Sequence, residues 1–272
     1  LKRPASAKAL GVINMLIIMN GMVRSGSTLL FMLLSHYAVL ERGAKLQGFF
    51  TKRDLDDMRA DLEKMARAKT CHVIKTHHYN ASVQSLPFGS REMAIFYTHR
   101  DLPAVSRSMQ RMFGAEPERI EKVLHEQMAV SREVKADGRA MMVAYQDLQQ
   151  DRRAVLVAAV EHLGWAWNEE AYQAAERFAD EKKAEVGEKK LKGGRLNKDI
   201  LRVTASLKIG VMARALLPAA LVRSVRERVL LTDKSSMLQP GHITHRSDEP
   251  ENPTIDLESD AIIQWRRDFG YI

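Results

Sequence analysis

One cysteine, Cys71, is all that this chain of 272 residues holds. An intramolecular disulfide is therefore impossible, which excludes disulfide-stapled folds and cysteine-rich zinc modules. The composition suits a reducing compartment, and a cytoplasmic location is the expectation. Aromatic residues are scarce, at 6%, which counts against a single-strand binder built on base stacking. The apolar run from Gly11 to Val23 is too short to cross a bilayer. Lys2, Arg3 and Lys8 before it give it the outline of a signal peptide. It leads straight into a glycine loop, however, with no small-residue cleavage site, and reads as a buried strand. The chain does not begin with Met, which leaves room for an upstream segment. Internal repeats and low-complexity tracts are absent as well.

What is present fits one domain over residues 1–272, with a core over about 11–165 and a helical and loop part over about 166–272. Hydrophobic residues make up 45%, enough for one large core. The formal charge of +8 favours an anionic partner: a phosphorylated cofactor, an acidic substrate, nucleic acid or a membrane surface. Charge alone does not choose among them.

The pattern of elements points to an α/β fold. "INMLIIMNGM" (Ile13 to Met22) is a continuous apolar run, as in a strand covered on both faces. "CHVIKTH" (Cys71 to His77), "EMAIFYTHRD" (Glu92 to Asp101) and "AMMVAYQDL" (Ala140 to Leu148) read as three further strands. Helices are expected between them. One covers 54–68, with Leu55, Met58, Leu62 and Met65 on one face. Others follow Pro103 and Pro117, and another runs from 152 to a C-cap at Gly164. Strands alternating with helices imply a parallel sheet in a three-layer arrangement. From about residue 180 a charged loop is expected, then a basic helical stretch over 198–228, a polar loop, and a last helix from Ser259 to Phe269.

The chemistry concentrates in "GMVRSGST" (Gly21 to Thr28), between the first strand and a helix. The frame is that of a nucleotide P-loop, but Ser27 stands where a Walker loop has its lysine. Loop N–H groups and a helix N-terminus still make an anion site. Ser25, Ser27 and Thr28 add hydroxyls, and Arg24 adds fixed charge. Such a loop suits a ligand whose terminal group is not a γ-phosphate held with Mg²⁺. Arg100 closes a strand at its C-terminal end, where open α/β sheets bind ligands, and its fork suits a phosphate monoester. Ser106 and Ser108 both offer a hydroxyl nearby. Lys75 lies on a strand, and His77 and His78 follow it as candidate bases.

These segments together resemble the sulfotransferases that use 3′-phosphoadenosine-5′-phosphosulfate (PAPS). "RSGSTLL" looks like their 5′-phosphosulfate loop, "VIKTH" like the strand with a lysine and the catalytic histidine, and "YTHRDLPAVSRS" like the 3′-phosphate motif. "VAYQDL…HLGW" is similar to the strand and helix that carry a tyrosine near the adenine. The match covers roughly residues 13–165. Arg24 stands where many members have Lys, Gln146 replaces an acidic residue, and the C-terminal third matches poorly. The resemblance implies a P-loop-like fold, PAPS as cofactor, adenosine 3′,5′-bisphosphate as product and no metal. His77 rather than His78 would be the base, and Lys75 and Arg24 would stabilise charge on the leaving phosphate. Arg24, Ser25, Gly26, Ser27 and Thr28 would hold the 5′ end, Arg100 and Ser108 the 3′-phosphate, and Tyr145 would lie near the adenine. A near-neutral pKa is expected for His77.

The acceptor expected is a small molecule, sugar or lipid with a hydroxyl or amine; nucleic acid is not expected. The 198–228 stretch is a candidate for membrane-surface contact, and "QPGHITHRS" (239–247) is placed like a loop closing over the cofactor. Two rival readings remain. A P-loop small-molecule kinase lacks the Walker lysine, and a non-catalytic anion-binding protein leaves the ordered motifs unexplained.

Overall fold

The first apolar run becomes strand β1, Leu16–Gly21, every residue of it buried. The computed structural model describes residues 15–114, 116–192 and 257–272. In chain order β1 is followed by α1 (Ser27–Arg42), β2 (Lys45–Phe50), α2 (Lys52–Asp57), α3 (Arg59–Arg67) and β3 (His72–Thr76). Then come α4 (Ala81–Gln84), β4 (Met93–His99), α5 (Leu102–Phe113), α6 (Pro117–Lys135) and β5 (Ala140–Ala144). The last helices are α7 (Tyr145–Gln150), α8 (Arg152–His162), α9 (Glu169–Lys192) and α10 (Asp260–Asp268).

The five strands form one sheet in the order β2-β3-β1-β4-β5, and every pairing is parallel. Alternation along the strands sorts the side chains to two covered faces. Ile17, Met19, Val73, Ala94 and Phe96 pack under α1, α8 and α9. Leu16, Ile18, Ile74, Ile95 and Tyr97 pack under α3, α5, α6 and α10. The result is the three-layer α/β fold with a central parallel sheet.

The topology also places a crevice. From β1 the chain runs towards the β2 edge, whereas from β4 it runs towards the β5 edge. Neighbouring strands whose continuations part in this way leave a cleft beyond their C-terminal ends, where ligands of open α/β sheets bind. The glycine loop after β1 and Arg100 after β4 lie on its two sides.

Four elements differ from the sequence expectation. Strand β2, "KLQGFF", was not foreseen. It is an edge strand with a register shift between Leu46 and Phe49, and its Lys45, Gln47 and Gly48 break the apolar signal. The helix expected over 54–68 is two, divided at Met58 (φ −110°, ψ 24°). Leu55 and Leu62 are still fully buried on one core face, with Met58 and Met65 packed against it. The fourth strand stops at Ala144, and Tyr145 opens α7 rather than continuing the strand. The charged stretch beyond 180 continues α9 to Lys192 instead of forming a loop. Its Ala, Glu, Lys and Leu residues are strong helix formers, and charge alone does not end a helix. The 198–228 stretch and the 239–247 loop lie outside the described residues. No described helix is long and apolar enough to cross a membrane.

Candidate active site

The loop after β1 is held from below by β4. The Met22 N–H donates to Thr98 O at 2.9 Å. Ser25 Oγ donates to Met22 O at 2.6 Å, and lies 2.6 Å from Thr98 Oγ1. Gly21 is needed at the strand exit, because a Cβ there would lie 2.0 Å from Thr98 Oγ1. Gly26 is needed twice over. Its φ is 80°, and a Cβ would lie 2.6 Å from Tyr145 Cδ2, so the tyrosine ring rests directly on the loop backbone. Arg24 has φ 65° and is the non-glycine residue with positive φ among those described. That left-handed conformation is strained for an arginine and is characteristic of functional loops.

Helix α1 begins at Ser27 with no side-chain cap. Its first amides, those of Ser27 and Thr28, have no acceptor among the described residues, nor does the N–H of Gly26. Unpaired first-turn N–H groups carry the positive end of the helix dipole. The loop therefore presents donors and partial positive charge to the crevice.

Strand β3 delivers the lysine and the histidine. Lys75 is paired in register with Met19 and is 2% exposed. Its Nζ donates to Thr28 Oγ1 at 2.5 Å and sits 5.8 Å from the centre of the Phe31 ring. Burial lowers its pKa to about 7, since an ammonium out of water loses its hydration.

His77 stands just past the strand, with Nδ1 2.8 Å from Gly21 O. A carbonyl oxygen only accepts, so Nδ1 carries the hydrogen and the lone pair is on Nε2. No described residue hydrogen-bonds Nε2. The Phe49 ring lies against the imidazole at 5.6 Å. Burial, reinforced by the charge of Lys75, lowers the pKa of His77 to about 4. This corrects the near-neutral value expected from sequence: the imidazole is neutral throughout the physiological range.

His78 is differently placed. Its side chain is exposed, and its main chain is tied down by Asn20 Nδ2 (3.1 Å to His78 O) and by Thr76 Oγ1 (3.0 Å from His78 N).

Arg100, one residue beyond β4, lies across the loop from Lys75. Its Nη1 donates to Arg24 O at 3.4 Å, and its guanidinium stacks over the Tyr145 ring at 4.4 Å, a cation–π contact. Ser108 on α5 accepts from Arg24 Nε at 2.9 Å. Ser106, two residues earlier on α5, is fully buried, and its Oγ has no hydrogen-bond partner among the described residues. Burial lowers the pKa of both arginines; the charge of Arg100 adds to this at Arg24, and those of Arg107 and Arg111 add to it at Arg100. Among the described residues no carboxylate forms a salt bridge with Arg24, Lys75 or Arg100.

The structure thus brings Arg24, Gly26, Ser27, Thr28, Lys75, His77, Arg100, Ser108 and Tyr145 to one crevice, whereas the Ser25 hydroxyl, expected as a ligand donor, is fully buried and bonded to Met22 O and Thr98. Several supporting residues escaped the sequence reading. Thr98 holds the loop from β4. Asn20 Oδ1 accepts from the Gly21 N–H at 2.6 Å, and Gln127 Oε1 from the Val23 N–H at 3.3 Å. Asn20 had a signal: it is a polar residue at the end of an otherwise apolar strand, and buried amides there need partners. Thr98 and Gln127 had none.

No family model matches the chain, and no curated protein sequence matches it. Solved structures similar to it include mouse sulfotransferase SULT7A1 complexed with PAP, with 18% identity over 64% of this chain and 67% of that one, at a TM-score of 0.41. Another is retinol dehydratase in a complex with retinol and PAP, with 16% identity over 60% of this chain and 65% of that one, at a TM-score of 0.37. A third is sulfotransferase STF1 from Mycobacterium tuberculosis H37Rv, with 13% identity over 61% and 71%, at a TM-score of 0.41.

Proposed function

We propose that the protein is a PAPS-dependent sulfotransferase acting on an acceptor hydroxyl or amine. The observation that carries this reading is Lys75: a buried amine, donating to the Thr28 hydroxyl, with no counter-ion among the described residues, beside a histidine whose Nε2 no described residue hydrogen-bonds. A buried cation without a partner is costly, and an anionic ligand in the loop supplies the missing charge.

The residues present fit the cofactor. The amides of Gly26, Ser27 and Thr28, with the Thr28 hydroxyl and Lys75, would hold the 5′-phosphosulfate. Arg100 and Ser108 would hold the 3′-phosphate. Arg24 bridges the two: its backbone belongs to the loop, while its guanidinium reaches Ser108. Tyr145 offers its ring to the adenine end. When bound, PAPS supplies the sulfuryl group: the acceptor atom bonds to sulfur as the sulfur–oxygen bond to the 5′-phosphate breaks.

His77 Nε2 takes the acceptor proton during attack. Its hydrogen bond to Gly21 O fixes the tautomer that leaves this lone pair free, so no prior deprotonation is needed at neutral pH. Lys75, protonated when an anion sits beside it, stabilises charge developing on the leaving phosphate oxygen. Strand β3 and Thr28 hold Lys75, and the bond to Gly21 O at the end of β1 holds His77, so both groups are fixed in place.

The test is product formation. The protein is incubated with PAPS and a panel of phenols, alcohols, sugars and amines, and release of adenosine 3′,5′-bisphosphate is followed. Acceptor-dependent release that is lost in His77→Ala supports the reading. No release with any class, or release indifferent to His77, counts against it.

A further inference from the structure

Three consecutive residues span the C-terminal end of strand β4: His99, its last residue, then Arg100 and Asp101. The middle one enters the crevice. The outer two are both gripped by the C-terminal segment, from the far end of the chain. Tyr271 Oη lies 2.8 Å from His99 Nδ1. Arg266 donates from Nε and Nη2 to the two carboxylate oxygens of Asp101, at 3.0 and 3.3 Å.

Asp101 shows that the grip competes with a local alternative. It is the N-cap of α5, where an aspartate ordinarily accepts from first-turn amides. It makes no such bond; its oxygens are turned to Arg266 instead. The pair is largely shielded, with side chains 19% and 22% exposed, so it is less weakened by solvent than a surface pair. His99 is walled in by the rings of Trp265, Phe269 and Tyr271. The segment is itself rooted in the core: Trp265 is fully buried, and its Nε1 donates to Ser131 Oγ at 2.7 Å. Tyr271 also lies within electrostatic reach of Arg100.

We propose that the C-terminal segment is a brace for Arg100, and that Arg266 and Tyr271 are positioning residues for recognition of the ligand's 3′-phosphate. The inference rests on the reading of Arg100 given above. A long arginine side chain grips a phosphate selectively only if its backbone is fixed. The strand fixes one side of Arg100, and the brace fixes both neighbours. The contribution comes from the part of the chain that the sequence motifs leave unassigned.

The experiment compares two ligands on the full chain, adenosine 3′,5′-bisphosphate and AMP, which lacks the 3′-phosphate. Affinities are measured by calorimetry for the wild type, Arg266→Met, Tyr271→Phe and Arg132→Met. The last removes a different C-terminal contact, the ion pair of Arg132 with Asp268 at 3.6 Å, which involves neither 99 nor 101. Arg266→Met should weaken bisphosphate binding about tenfold, the scale of a loosened charge-assisted contact, with AMP changed less than about twofold. Tyr271→Phe should shift the preference the same way by less, and Arg132→Met should keep it. If Arg266→Met does not fold, Tyr271→Phe decides. Equal loss for both ligands, or an unchanged preference in both brace variants, overturns the brace alone. A wild type without any preference for the bisphosphate removes the reading of Arg100, and the brace with it.

Discussion

Lys75 Nζ and Thr28 Oγ1 meet at 2.5 Å, joining strand β3 to the first turn of α1 across 47 residues of sequence. The hydroxyl satisfies one of three ammonium hydrogens and none of the charge. The lysine therefore ionises with difficulty until an anion arrives.

Ligand binding should accordingly take up a proton. The pKa of Lys75 falls from 10.5 to about 7 in the ligand-free protein, and a bound phosphate raises it. Around pH 8, calorimetry with adenosine 3′,5′-bisphosphate in buffers of different ionisation enthalpy should show net uptake, absent in Lys75→Met. The same shift fixes a sign for stability. Between about 7 and 10.5 the unfolded chain binds the extra proton, so stability rises with pH across that window. Thermal melts of the wild type relative to Lys75→Met should show this rise; a parallel pH dependence would contradict it.

His77 should set a pH profile unlike that of a near-neutral base. With its pKa near 4, it stays neutral from pH 6 to 8, and its own ionisation should leave turnover flat there. His77→Ala should lower kcat by about 10²–10⁴-fold, the usual worth of a general base, with bisphosphate affinity nearly unchanged. A loss of wild-type activity through a step near pH 6.5, absent in His77→Ala, would show that the imidazole is not buried as described.

Gly26→Ala should impair the loop through two separate strains, a Cβ 2.6 Å from the Tyr145 ring and a φ of 80°. About 1–3 kcal/mol of destabilisation is expected, together with loss of ligand binding. Adding Tyr145→Ala should recover only the part due to the ring. Denaturant titration of the single and double variants separates the two.

Ser108 and Ser106 should behave oppositely although both are on α5. Ser108→Ala removes the acceptor for Arg24 Nε and should weaken bisphosphate binding by about 0.5–1.5 kcal/mol. Ser106→Ala deletes a buried hydroxyl with no partner among the described residues, so binding should hold and stability should be unchanged or higher. Equal effects of the two substitutions on binding would dissolve the distinction.

Much of the fold was legible in the sequence because it is carried by short-range signals. β1 and β4 are long apolar runs, and the glycine loop lies between strand and helix. The edge strand β2 was hidden because its polar residues and irregular register erase periodicity. Tyr145 was placed on a strand because the residues before it are apolar, though the strand ends one residue earlier. The motif residues were legible as types and spacings, but the state of His77 was not. Its depressed pKa comes from packing and from Lys75, which no local pattern encodes. The bond from Arg266 to Asp101 was equally invisible, since 165 residues separate its partners.

The proposed function requires that this crevice recognise a nucleotide by its 3′-phosphate and 5′-phosphate together. The most direct measurement is a thermal shift with adenosine 3′,5′-bisphosphate beside ADP, each with and without Mg²⁺, on the wild type and Arg100→Ala. At about 100 times Kd, binding adds roughly 2.7 kcal/mol of stability. The account predicts a metal-independent rise with the bisphosphate, a small one with ADP, and loss of the bisphosphate effect in Arg100→Ala. A rise with ADP and Mg²⁺ alone would contradict it and favour a kinase, and no rise with either would leave the glycine loop a structural turn.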